Sequence, residues 1–333
     1  MAEQGKQSMV RLQDLRVSFK APGKTIRAVS GVDLEVGEGE VVALIGESGS
    51  GKSVTLRSIM RLHPEARTRI EGRLEVDGRD VLAMNGRELS ALRGDAVAMI
   101  FQEPLLALDP VYTVGAQIVE TIRRHRKVSA AEARAQALAL FEKVRIPSPE
   151  RRLDAYPHEM SGGMRQRAMI ALALSCAPKV LLADEPTTAL DATVQIQILL
   201  LLRDLQRELG LSIIFVTHDI GAAVEVADRI AVMYAGRIVE QGPAAQLLTR
   251  PRHPYTMSLL QSRSHGAMQK GQRLQTIPGA PPDLANLPPG CAFAERCAHA
   301  RPDCLSQQPP ELKLDAQHAV RCLRAQELQF AAA

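Results

Sequence analysis

Along this chain, short unbroken apolar runs alternate with longer stretches in which apolar residues recur every three or four positions. The runs lie at 41–45, 96–101, 180–183, 212–216 and 230–233. Runs this short and this apolar predict strands buried on both faces. The stretches 130–144 and 192–209 carry the helical spacing and predict helices. Strands alternating with helices predict a parallel α/β core.

The pattern changes near residue 241. Pro251, Pro254, Pro278, Pro281, Pro282, Pro288, Pro289, Pro302, Pro309 and Pro310 follow at a density that blocks long regular elements. A segment without a helical core needs another organiser. Cys291, Cys297, Cys304 and Cys322 lie in it, and in a reducing compartment such a cluster points to a metal site before disulfides.

No apolar stretch approaches the about 20 residues a membrane-spanning helix needs. Residues 1–10 are polar and lack the apolar run of a signal peptide. The expectation is a soluble, cytoplasmic chain that works at a membrane only by docking on other subunits. With 46% hydrophobic and 23% charged residues the composition is that of a globular protein. The net charge of +4, with 3% aromatics and no Trp, argues against a nucleic-acid partner. The basic run 123–127 reads as a solvated helix face or loop, and 196–205 as core.

The first chemical motif is Gly46-Glu47-Ser48-Gly49-Ser50-Gly51-Lys52-Ser53, which fits GxxxxGK[ST] between the run 41–45 and a helical stretch at 53–62. Glycines let backbone N–H groups converge on phosphate, and the helix N-terminus adds its positive dipole end. Lys52 would reach the β- and γ-phosphates and Ser53 would ligate Mg²⁺. This motif alone does not separate kinases, GTPases and ATPases. The apolar run at 180–183 ends in Asp184-Glu185. An Asp at such a strand end holds the Mg²⁺ shell, and Glu185 is placed to polarise an attacking water. Gln102 and His218 also follow apolar runs, at the edge where parallel sheets bind ligands. There Gln102 would sense Mg²⁺ and water, and His218 the γ-phosphate.

Between Gln102 and Asp184 stands Met160-Ser161-Gly162-Gly163-Met164-Arg165-Gln166-Arg167. With the phosphate loop before it and Asp184-Glu185, Ala189-Leu190-Asp191 and His218 after it, the chain resembles the ATP-binding subunits of ABC transporters over about residues 10 to 245. Met164 and Met160 depart from the usual Gln and Leu of that signature. The SGGM-Arg-Gln-Arg form resembles the oligopeptide and dipeptide importer branch. So do Pro251-Arg252-His253-Pro254-Tyr255-Thr256 and Gly290-Cys291-Ala292-Phe293-Ala294-Glu295-Arg296-Cys297.

The resemblance implies an α/β fold: a P-loop NTPase (RecA-like) ATPase domain at 9–242, with a helical subdomain at about 103–165 that receives the membrane subunits. A proline- and cysteine-rich extension follows at 243–333. It implies an ATPase that powers import of di- or oligopeptides across a bacterial inner membrane. Ser161, Gly162 and Gly163 would contact the γ-phosphate of a nucleotide held by a partner ATPase, with Asp191 at the seam. Phe19 resembles the aromatic that stacks on adenine, the other reading being a buried strand Phe. Implied partners are a paralogous ATPase, two permeases and an extracytoplasmic substrate-binding protein, with this chain peripheral on the cytoplasmic face.

The cysteine spacing, C-x5-C-x6-C-x17-C, matches neither a zinc ribbon nor the common ferredoxins. Four thiolates suit [4Fe–4S] or zinc, and the resemblance favours the iron–sulfur cluster, with zinc as the alternative. Cys176 reads as a core residue. The rival functions are a non-transport ABC ATPase of DNA repair or translation, and an ATP-dependent iron–sulfur or zinc sensor module.

Overall fold

The computed structural model describes residues 7–188, 190–262, 277–328 and 330. They fall into two compact units that interleave along the chain. One comprises Glu35–Glu40 and Glu75–Phe215 with the residues up to Val10; the other comprises Arg11–Leu34, Val41–Leu74 and the chain from Val216 onward.

In the first unit, Val97–Ile100 runs parallel to Val180–Asp184, with Val97 opposite Val180 and Ile100 opposite Ala183. Ser212–Thr217 lies on the other side of Val180–Asp184. These strands are buried throughout, as their unbroken apolar composition requires. The first is shorter than the run 96–101: Phe101, expected in a buried strand, is 38% exposed.

The stretch between 103 and 165 carries the helices Val114–His125, Ala130–Lys143 and Pro149–Leu153. Val114, Ile118 and Ile122 are buried on one face of the first, and Ala133, Ala137 and Phe141 on one face of the second. The second opens in a capping box between Ser129 and Glu132. Residues 123–127 are exposed, and Arg126 still reaches back to donate to Cys176 O at 2.9 Å. Cys176 itself is buried.

The helix Ala192–Leu209 is capped by Asp191 and stopped by Gly210 at φ +66°. Its middle corrects the expectation that 196–205 is all core. Ile198, Leu199, Leu201, Leu202 and Leu205 are buried, but Ile196 and Leu200 are 57% and 51% exposed. They stand one turn apart on the opposite face.

In the second unit, Val41–Ile45 runs parallel to Arg229–Tyr234, which pairs antiparallel with Arg237–Pro243. The chain's end then extends this sheet. Ala319–Val320 pairs with Arg237–Pro243, and Leu312–Lys313 pairs with Ala319–Val320. The other elements of the proline-rich segment are short, including Ala244–Thr249, Pro254–Gln261 and Pro302–Ser306. A separate sheet of Lys24–Gly37, Ser8–Ala21 and Thr68–Val76, in that order, was not anticipated. Among the described residues no helix is long and apolar enough to cross a membrane.

Candidate functional site

The phosphate loop leaves the fully buried strand Val41–Ile45 and enters the helix Lys52–Ile59. Two of its glycines are sterically required. A Cβ on Gly46 (φ +153°) would stand 2.2 Å from Met233 O, and one on Gly51 (φ +106°) 2.5 Å from Ala28 O. Lys52 is buried and lies along the loop, its Nζ donating to Gly46 O at 2.8 Å and Glu47 O at 2.9 Å. The loop is tied at both ends of its turn. Gly236 N–H donates to Ser50 O, and Glu47 N–H donates to Tyr255 Oη at 2.8 Å.

His218 is exposed, and with Gly46, Asp219 and Leu259 it lines one cavity. Phe19 is a half-buried residue of the strand Ser8–Ala21, its ring edge-on to His63 at 5.2 Å. Burial pushes the His63 imidazole below its ordinary range.

In the other unit, Asp184 ends its strand fully buried. Glu185, next in the chain, has φ +47°, a left-handed conformation that costs a non-glycine residue about 1–3 kcal/mol. That turn separates the two carboxylates. Gln102 Nε2 donates to Glu185 Oε2 at 3.3 Å, and Thr188 Oγ1 donates to the same oxygen at 3.0 Å. The fold thus brings together the polar residues that end the strands Val97–Ile100 and Val180–Asp184.

Ser161 caps the helix Gly162–Leu174, its Oγ accepting Met164 N–H at 3.3 Å, and it is exposed. Gly163 is packed under Val194, where a Cβ would meet Cγ1 at 2.8 Å. Asp191 is likewise an exposed N-cap, accepting Val194 N–H at 2.9 Å. Ser161, Gly163 and Asp191 therefore cluster at two neighbouring helix starts, whose N–H groups and dipoles suit an anion. Ala189 of the Ala189-Leu190-Asp191 motif lies outside the described residues.

The four C-terminal cysteines are all free thiols and line one small cavity, walled by His253, Phe293 and His299. Cys291 N–H donates to Cys304 O at 2.8 Å, closing the loop between them. His299 N–H points at Cys297 Sγ and Arg324 N–H at Cys322 Sγ, each at 3.4 Å. Burial pushes the Cys322 thiol up to about 11 and raises Cys291 and Cys297 as well. Among the described residues no three of His, Cys, Asp and Glu are arranged to hold a single metal ion.

Residues 29–188 match the ABC transporter family model, and residues 239–304 match that of the oligopeptide/dipeptide transporter C-terminal region. A protein of Brucella melitensis named as a peptide import ATP-binding protein is 48% identical over 334 residues, covering 97% of this chain and 99% of its own. The oligopeptide transport ATP-binding protein OppD of Bacillus subtilis is 46% identical over 314 residues, covering 94% and 88%. This chain belongs to the ATP-binding proteins of ABC transporters. The fold agrees: the dimeric bacterial ABC transporter cassette MJ0796 superposes with a TM-score of 0.64 at 30% identity, over 71% of this chain and 99% of that one.

This ABC ATPase binds and hydrolyses ATP. Its sequence motifs left three residues around the loops unremarked. Thr188 shares the Glu185 oxygen with Gln102. Tyr255 and Arg296 both bind Glu47. Tyr255 and Arg296 stand in segments whose only signal was resemblance to a C-terminal extension, and their contacts are made by folding across more than 200 residues.

Proposed function

We propose that this ABC ATPase powers the import of di- or oligopeptides. The observation that carries the reading is end-to-end similarity to a peptide import ATP-binding protein, including the C-terminal region shared with oligopeptide/dipeptide transporters. That region also speaks against an ATPase of DNA repair or translation and against a stand-alone sensor. The chain would act as one of two ATPase subunits, a paralogue being the expected mate. The pair would dock on two permeases at the cytoplasmic face of the inner membrane and be served by an extracytoplasmic binding protein. Residues 9–242 form the ATPase part and 243–333 the extension.

In the mechanism, Phe19 stacks on adenine and the loop Gly46–Ser53 wraps the phosphates with its N–H groups. Lys52 leaves the loop carbonyls for the phosphate oxygens, a stronger charge-assisted bond. Ser53, Gln102 and Asp184 would hold Mg²⁺, which offsets negative charge on the phosphates when bound. Glu185 accepts the proton of the attacking water, its carboxylate oriented by Gln102 and Thr188. His218 contacts the γ-phosphate. Ser161, Gly162, Gly163 and Asp191 present a helix start to the nucleotide of the facing subunit, so hydrolysis needs the dimer.

The four thiols converging on one cavity fit a [4Fe–4S] cluster. Cys291, Cys297, Cys304 and Cys322 would hold the cluster, each supplying one thiolate. A single zinc is the alternative for the same four thiolates. Such a group would staple a segment with little core of its own.

The test is reconstitution with its permeases in liposomes. Labelled di- or oligopeptide should enter only with ATP inside the reaction compartment on the ATPase side, and Glu185→Gln should abolish entry. ATP turnover that no peptide stimulates, with sugars or metal chelates carried instead, would overturn the peptide assignment.

A further inference from the structure

The second residue of the phosphate loop carries a negative charge, which is unexpected in a loop built to bind an anion. Glu47 keeps 27% of its side chain exposed, and its partner Arg296 only 4%. Arg296 Nη1 donates to Glu47 Oε2 at 2.7 Å and Nη2 donates to Oε1 at 2.9 Å, a bidentate fork. The same guanidinium donates to Pro278 O at 2.8 Å, Tyr234 Oη at 3.2 Å and Ile277 O at 3.4 Å. All five of its N–H groups are thereby used.

The clamp has a second arm. Tyr255 Oη accepts the Glu47 backbone N–H, so one loop residue is held by main chain and side chain together. Burial raises the Tyr255 phenol far above its ordinary range, so it stays a neutral hydroxyl. Phe293 packs on Tyr234 and on Tyr255, with ring centroids 5.3 Å apart in both cases. Phe293 is also a wall of the four-thiol cavity, and Arg296 directly precedes Cys297.

We propose that Arg296 is a positioning residue for nucleotide binding. It neutralises Glu47, draws that carboxylate aside and, with Tyr255, holds the loop ready for phosphate, so that nucleotide affinity depends on the C-terminal segment. This rests on the reading that residues 46–53 hold the nucleotide phosphates. An unclamped Glu47 would repel the incoming anion and let the loop relax.

The experiment is MgATP titration of the full chain, followed by fluorescence of a labelled ATP analogue, with ATPase kinetics in the assembled transporter. Arg296→Ala should raise Kd and KM about tenfold or more and change kcat much less. Adding Glu47→Gln to Arg296→Ala should bring Kd back to within about threefold of the wild type, because the charge to be offset is gone. A merely structural arginine gives no such rescue. If Arg296→Ala does not fold by circular dichroism, Arg296→Lys keeps the charge and loses the fork, and should still raise Kd several-fold. A Kd within twofold of wild type in the folded Arg296 variant, or no rescue by Glu47→Gln, overturns the proposal. Lys52→Ala separates the two readings: if it binds MgATP as tightly as wild type, the loop assignment itself fails.

Discussion

Gln102 and Glu185, 83 residues apart in the chain, meet through a single hydrogen bond, Nε2 to Oε2 at 3.3 Å. Glu185 is already turned by its positive φ, so Gln102 acts on a carboxylate whose backbone direction is set. General-base catalysis contributes about 10²–10⁴-fold, and orientation is a part of that. Glu185→Gln should therefore lower kcat at least ~100-fold while MgATP affinity is retained. Gln102→Ala should lower kcat about tenfold. Steady-state ATPase kinetics beside a nucleotide titration distinguishes these from a binding defect; a loss in Kd as large as the loss in kcat for Glu185→Gln would remove Glu185 from the chemical step.

A buried carboxylate organises the chain's end. Glu240 is fully buried, and its oxygens accept Arg252 N–H at 2.7 Å and His253 N–H at 2.9 Å, with His318 Nε2 2.8 Å from Oε1. Glu240→Leu strands two amides and a ring nitrogen together. The loss should be roughly 3–5 kcal/mol, the range for breaking a buried pair. Urea unfolding of the purified chain measures it, and a loss below 1 kcal/mol would show that the cluster relaxes or hydrates.

Acid should attack the same region. His253 is buried, its Nδ1 accepts Tyr255 N–H at 3.0 Å, and burial outweighs the pull of Glu240 to hold its pKa at about 4. The unfolded chain, with an ordinary imidazole near pH 6.5, then binds more protons than the folded one between these values. Stability present above pH 6.5 is lost as pH falls toward 4. His253→Asn, whose side-chain oxygen can still accept the amide, should flatten that part of the Tm-against-pH curve. An unchanged slope would assign the acid sensitivity elsewhere.

The cysteine cavity makes a prediction about composition and stability together. Anaerobically purified protein should carry about four iron and four sulfide per chain. Cys304→Ser should lower both and lower Tm. Metal-free protein with an unaltered Tm in the serine variant would leave the thiols as ordinary packing residues.

Packing at the signature start can be probed by one methyl group. Gly163→Ala places a carbon 2.8 Å from Val194 Cγ1, so Val194, beside the Asp191 helix start, must shift. ATPase activity of the assembled transporter should fall about tenfold or more, with nucleotide binding by the isolated subunit little changed. Normal turnover would show that the two helix starts move independently.

Local chemistry made much of this protein legible from its residues. The spacing of Gly46, Gly51 and Lys52 marks a phosphate loop because a tight turn that aims backbone N–H groups at one point needs positive φ at its glycines, which the fold shows at both. The strand Val41–Ile45 and the helix Ala192–Leu209 follow from unbroken and 3.6-periodic apolar patterns. The strand Ser8–Ala21 was hidden because its alternation breaks. Buried positions step from Leu12 to Leu15 across Asp14, whose φ of +46° inserts an extra residue and shifts the two-residue period. A run of apolar letters likewise could not say which way Ile196 and Leu200 face, since that depends on what lies beside the helix.

The sequence by itself determined the family, the order of the nucleotide motifs and the presence of four thiols in one segment, because each is a matter of residue type at short spacing. Only the tertiary structure decided who holds them. It set Gln102 and Thr188 on one oxygen of Glu185, gathered the cysteines around one cavity, and fastened Glu47 to Arg296 across 249 positions. Contacts of that range leave no periodic trace, because they arise from how strands and loops pack and not from any rule linking neighbours in the chain.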